Sequence, residues 1–224
     1  MWKAILFDLD GTIIDSESTN VQFIVELLQH KNYQITDTDY EFFYQHSWSD
    51  CYDYILNKIC IQLEYPEFKN YIDERCCKVK YPIFNGFRKA IDGFSSNIKL
   101  GLVTSSNSNY TNKVLTDNHL LSLFDIIITS DIVNKHKPNP YPYQHAAKLL
   151  NVNNYECLVF EDSLVGITSA NMANMAVCKC SFSNININID SSLYHFNLTN
   201  YTDLDSSFIK NCWNIWQKIV KSKI

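Results

Sequence analysis

The chain has 224 residues, 46% of them hydrophobic and 19% charged, with a net charge of −5. That length and composition fit one α/β domain with an insertion, or two small domains, and speak against any long disordered span. The acidic balance and the lack of a Lys/Arg run exclude nucleic acid and anionic membranes as main partners, and no apolar run reaches membrane-spanning length.

The first predicted element is a buried strand, Ala4 to Phe7, which runs directly into Asp8-Leu9-Asp10-Gly11-Thr12. Because it starts so near the beginning, no signal peptide is expected, and the cytoplasm is the expected compartment. The eight cysteines include no Cys-x-x-Cys pair, so reduced and mostly buried thiols are expected. From 16 to 81 the pattern is helical throughout, and no strand-like run interrupts it. Ser16 is placed to cap the first helix, and Val21, Ile24, Val25, Leu27 and Leu28 recur at helical spacing. Further helices are predicted over 38–46, 49–62 and 66–79, the last with Pro66 in its first turn.

From 82 onward, strands alternate with helices. Strands are predicted over 98–104, 124–130, 157–160 and 176–182, and helices over 87–94, 108–118, 141–150, 165–172 and 208–220. Such alternation implies a parallel sheet with right-handed crossovers, hence a Rossmann-like doubly wound α/β core. The expected division is a core of 1–15 and 82–224 with an inserted α-helical cap domain of 16–81. The stretch 183–190 alternates Ile with Asn or Asp and reads as either an edge strand or a loop.

Four strand ends carry polar residues. Ligands of open α/β sheets bind beyond the carboxyl ends of the strands, which places Asp8 and Asp10 at the mouth of a crevice. One carboxylate there can attack while the other relays a proton, and dense oxygen ligands suit Mg²⁺. The alternative is an Asp-x-Asp-Gly turn chosen for turn chemistry alone. Thr104-Ser105-Ser106 offers a hydroxyl and backbone N–H groups at the same edge, able to hold phosphate oxygens or to cap the next helix. Lys137 precedes Pro138 and could neutralise developing phosphoryl charge, or stand as an ordinary solvated lysine. Glu161-Asp162-Ser163 places two acids at the end of an apolar run, a costly arrangement unless a cation or donors meet them.

The ordered set Asp8-Leu9-Asp10-Gly11-Thr12, Thr104-Ser105-Ser106, Lys137-Pro138 and Glu161-Asp162-Ser163 with Gly166 resembles the four motifs of the haloacid dehalogenase (HAD) superfamily. The helical insert and the run Leu9 to Glu17 resemble its beta-phosphoglucomutase-like and phosphoglycolate phosphatase-like branch. The resemblance implies a Mg²⁺-dependent phosphatase that works on a small phosphorylated metabolite, such as a sugar phosphate or phosphoglycolate, through an aspartyl-phosphate. It makes Asp8 the nucleophile and Asp10 the general acid/base, whose backbone carbonyl also serves the metal. Lys137 would balance charge, Thr104 and Ser105 would hold the phosphoryl group with Gly11 and Thr12 nearby, and Asp162 with Glu161 would ligate Mg²⁺ directly or through water. Family dehalogenases lack an acid at the place of Asp10, which argues for phosphate chemistry.

Two departures matter. Ala173-Asn174-Met175 stands where relatives have Ala-Gly-Met, and asparagine is the next-best residue for a left-handed C-cap. The histidine and arginine of the mutase cap are not evident in Glu17-Ser18-Thr19-Asn20 or in His46-Ser47-Trp48-Ser49-Asp50, which lowers the mutase reading. His46 and Trp48 are candidates for specificity, or for packing within the cap. A phosphosugar mutase and a catalytically idle HAD binding domain are the alternative functions. The expected assembly is a monomer or weak homodimer.

Overall fold

The computed structural model describes residues 1–46, 48–94, 97–182 and 189–222. Six strands, β1 (Ala4–Phe7), β2 (Lys99–Val103), β3 (Ile126–Ile128), β4 (Cys157–Glu161), β5 (Ala176–Cys180) and β6 (Phe196–Leu198), form one sheet in the order β3-β2-β1-β4-β5-β6. Every pairing is parallel. The central strands β1 and β4 are buried along their whole length, which is why they read as unbroken apolar runs rather than alternating ones. Phe7 lies in register with Leu102 on one side and Phe160 on the other, so Asp8, Thr104 and Glu161 leave the sheet at one edge.

Helices cover both faces. Ala4, Leu6, Val103, Val159 and Val177 pack against Tyr143, Ala146 and Ala147 of α7 (Tyr141–Leu149) and Ile167 and Ala170 of α8 (Leu164–Met172). Side chains alternate along a strand, so Phe7 and Phe160 face the other way. They stack at 5.0 Å, and Phe7 meets Phe87 of α5 (Phe87–Asp92) edge-on. The remaining helices of this part are α6 (Ser108–Asp117) and α9 (Ser206–Ser222). Helix α8 closes on Asn174 at φ +58°, with Met175 N–H donating to Ala170 O and Asn174 N–H to Asn171 O. This is a Schellman cap with asparagine in the glycine place.

The chain divides into two compact units, Met1–Ile14 with Pro82–Ile224, and Asp15–Tyr81. Among the described residues the elements of the second unit are all helices: α1 (Glu17–His30), α2 (Asp37–Gln45), α3 (Trp48–Asn57) and α4 (Tyr65–Lys78). Its one buried carboxylate among the described residues, Asp39, accepts from the Tyr33 and Tyr54 hydroxyls and from the Thr36 N–H and hydroxyl at 2.7–2.9 Å. Burial pushes the Asp39 carboxyl up, but those bonds outweigh it and hold the group below its ordinary range.

Several local expectations change. Ser16 is the residue before α1 but its hydroxyl is buried without a partner; Asp15 accepts from the Ser18 N–H and hydroxyl instead. Thr36 caps α2 in a capping box with Asp39, so the helix begins at Asp37, one residue before the predicted 38. Helix α3 ends at Asn57 rather than near 62, and Cys60 beyond it takes a left-handed φ of +61°. Ile59 stands at helical spacing from Ile55 and Leu56 although the backbone has already left the helix. Of the stretch 183–190, residues 183–188 lie outside the described residues. All eight cysteines are free thiols, five of them buried. Among the described residues no helix is long and apolar enough to cross a membrane.

Candidate active site

The site is assembled where β1, β2 and β4 end. The Lys137 ammonium donates to Asp8 Oδ1 at 2.6 Å, Glu161 Oε1 at 2.6 Å and Val103 O at 2.9 Å, so one side chain ties together three neighbouring strands. It is not a solvated lysine: its side chain is 3% exposed, against 10% for Asp8 and 0% for Glu161. Burial works to lower the Lys137 pKa, but Asp8 and Glu161 reverse this and raise it above the ordinary lysine range. Burial pushes the Asp8 carboxyl well above its usual range; Lys137 opposes that rise, and Glu161 and Asp10 add to it.

Glu161 is held by more than the lysine. Its Oε1 also accepts from the Tyr143 hydroxyl at 2.9 Å, and its Oε2 from the Asp162 N–H, Ser163 N–H and Ser163 hydroxyl. Gly166 makes room for this: a Cβ there would stand 1.7 Å from Glu161 Oε1. Asp162 accepts from the Thr12 hydroxyl at 3.1 Å, and a Cβ on Gly11 would stand 2.0 Å from Asp162 Oδ2. Gly11 has φ +71°, a conformation that glycine adopts freely, so the turn after Asp10 and the approach of Asp162 both depend on it.

Asp10 is held separately. Its Oδ2 accepts from the Ser106 hydroxyl and its Oδ1 from the Tyr110 hydroxyl, both at 2.8 Å. Thr104 is buried, and its hydroxyl accepts from the Ser106 N–H at 3.0 Å, which curls the loop after β2; Ser105 is exposed on that loop. Thus Asp8, Asp10, Gly11, Thr12, Thr104, Lys137, Glu161 and Asp162 are all drawn to one strand-end region. Tyr110 and Tyr143 were not found by sequence reasoning, and Ser106 only as part of a phosphate-binding turn. His46 and Trp48 pack in their own unit. His46 stacks on Phe42 at 3.8 Å, and Trp48 meets Phe68 edge-on.

One oxygen each of Asp8, Glu161 and Asp162 lie within 4.8 Å of one another, and all three residues are buried. With all three ionised, the carboxylates and the Lys137 ammonium sum to a formal −2, which one divalent cation would balance. An all-oxygen donor set of this kind fits a hard cation.

A profile described as haloacid dehalogenase-like hydrolase matches residues 5–180, which takes in every strand-end motif. The chain belongs to this family. It is 30% identical over 188 residues to a validoxylamine A 7'-phosphate phosphatase of Streptomyces hygroscopicus subsp. limoneus, covering 78% of this chain and 84% of the relative. It is 24% identical over 181 residues to a fructose-1-phosphate phosphatase of Escherichia coli, covering 78% and 94%. A beta-phosphoglucomutase structure from Clostridium difficile superposes with a TM-score of 0.71 at 25% identity, covering 98% of this chain and 100% of that one. The chain is therefore an HAD-like phosphatase for a phosphorylated substrate, with an acidic cluster suited to a metal ion.

Proposed function

We propose that this HAD-like phosphatase is Mg²⁺-dependent and removes the phosphoryl group from a small metabolite, a sugar phosphate or a phosphoglycolate-like acid, through an aspartyl-phosphate on Asp8. The observation that carries this reading is the Lys137 bridge: a buried ammonium 2.6 Å from Asp8 Oδ1 offsets the charge on the attacking group and on an incoming phosphate. Asp8 attacks phosphorus through a carboxylate oxygen while Asp10 gives a proton to the leaving oxygen. Asp10, now ionised, then takes a proton from the water that attacks the aspartyl-phosphate, which frees Asp8. Thr104 and the Ser105 N–H hold the transferring group, beside Gly11 and Thr12.

Asp8, Asp162 and the Asp10 carbonyl would hold the cation, with Glu161 beside it as a direct or water-mediated ligand. When bound, Mg²⁺ supplies charge neutralisation and orientation of the phosphoryl oxygens. Glu161, already accepting five hydrogen bonds, serves to fix Lys137 and the first turn of α8. The helical unit 15–81 acts as a cap that excludes water in the first step. The enzyme works in the cytoplasm as a monomer or weak homodimer.

The test is phosphate release from a panel of sugar phosphates and phosphoglycolate, with and without Mg²⁺, with isomerised sugar measured in parallel. Metal-dependent free phosphate is expected. Isomerised sugar without free phosphate would replace the phosphatase by a mutase, and no reaction with any compound would favour an idle binding domain.

A further inference from the structure

We infer that Tyr110, with Ser106, is a positioning residue that aims Asp10 for proton transfer; this rests on the role of Asp10 proposed above. The two acids of the first motif are held by opposite means. Asp8 is bound by a cation, whereas both oxygens of Asp10 accept from neutral hydroxyls at 2.8 Å, Tyr110 on Oδ1 and Ser106 on Oδ2. One hydroxyl on each oxygen fixes both the plane and the direction of the Asp10 carboxylate. Each carboxylate oxygen also keeps a second lone pair for the reacting proton.

Both donors stand on fixed backbone. Tyr110 lies in the first turn of α6, where its N–H donates to the capping Asn107 side chain at 3.0 Å. The neighbouring Ser108 N–H and hydroxyl bind Asp131 Oδ1, and the Ser106 carbonyl accepts from Ser130 N–H. The start of α6 is thus anchored to the loop after β3, and the Tyr110 ring carries that rigidity to Asp10, 100 residues away in sequence. In the first step the P–O bond to the leaving group breaks, the Asp8–P bond forms, and the Asp10 proton passes to the leaving oxygen. Misdirecting that proton slows departure of a poor leaving group and spares a good one.

The experiment compares native chain, Tyr110→Phe, Asp10→Asn and the double variant, using p-nitrophenyl phosphate and the sugar phosphate that turns over fastest in the panel. Tyr110→Phe removes one hydroxyl from a half-buried ring, and its thermal midpoint shows whether the fold is kept. The expected result is a fall of about 10-fold in kcat/KM for the sugar phosphate, a much smaller change for p-nitrophenyl phosphate, which leaves without a proton, and no further loss when Tyr110→Phe is added to Asp10→Asn. Ser106→Ala should show the same selectivity. Equal losses on both substrates, no loss on either, or a full additional loss in the Asp10→Asn background would overturn the inference while leaving the phosphatase intact. A native chain that turns over neither substrate would overturn the proposed function and this inference together.

Discussion

Two buried carboxylates, one in each unit, meet opposite fates. Asp39 in the helical unit accepts four hydrogen bonds from Thr36, Tyr33 and Tyr54 and is held below its ordinary pKa. Asp8 at the end of β1 has Lys137 as its hydrogen-bonding partner, shares that ammonium with Glu161, and is pushed well above its ordinary pKa by burial. Little of either is exposed, but Asp8 lies much deeper among protein groups than Asp39, so its charge asks more of its donors. What distinguishes them is whether the surrounding donors satisfy the charge. Around Asp39 they do, and the acid serves as a fastener; around Asp8 they fall short by two charges, a deficit that a metal ion can fill.

That contrast can be broken most sharply at Asp8. Asp8→Asn should reduce phosphate release by on the order of 10³-fold or more without lowering the thermal midpoint of the metal-free protein, because it removes one of three crowded acids. A large drop in midpoint would mean that Asp8 is a structural acid after all. Asp162→Asn comes next. A loss of about 100-fold is expected, together with loss of the rise in midpoint that Mg²⁺ gives the native chain, both measured across a Mg²⁺ titration. Gly11→Ala should cost about 1–3 kcal/mol in denaturant unfolding and weaken Mg²⁺ binding, since its Cβ would displace the Asp162 carboxylate.

The smallest effect belongs to the other side of the comparison. Asp39→Asn should cost about 1–2 kcal/mol and leave phosphate release little changed. Because the folded pKa of Asp39 lies below the unfolded value of about 3.9, its stabilisation is complete above that value and disappears as pH falls through the folded one. Unfolding curves of native chain and variant should therefore converge in acid. Curves that stayed equally far apart from neutral to acid pH would assign the loss to packing instead.

The same contrast explains what could be read from the residues alone. Asp8, Glu161 and Asp162 were legible because each ends or follows an apolar strand, where an uncompensated charge is costly; Lys137, in the loop between β3 and α7, was legible only from its place in the ordered motifs. The alternation of strands and helices likewise implied a parallel sheet, and the observed strand order places Asp8, Glu161 and Asp162 on one edge, where the Lys137 ammonium reaches Asp8 and Glu161. Tyr110 and Tyr143 were not legible: they reach the site from helix faces, where a tyrosine looks like any other amphipathic residue. Only hindsight gives Tyr110 a signal, three residues past the Asn107 cap. In the helical unit, apolar spacing past Asn57 prolonged α3 on paper, and a serine in the right place proved not to cap α1. The three-residue strand β6 is too short for periodicity to register.

The Lys137 bridge has a bearing on how the protein comes into being. Its three acceptors belong to β1, β2 and β4, at sequence separations of 129, 34 and 24 residues. No fragment that lacks one of those strands, and no intermediate in which they are unpaired, can hold the ammonium in place. During refolding, catalysis should therefore return only as the central ladder closes, later than the helical signal that local segments supply. Enzymatic rate then becomes a count of molecules whose sheet is complete.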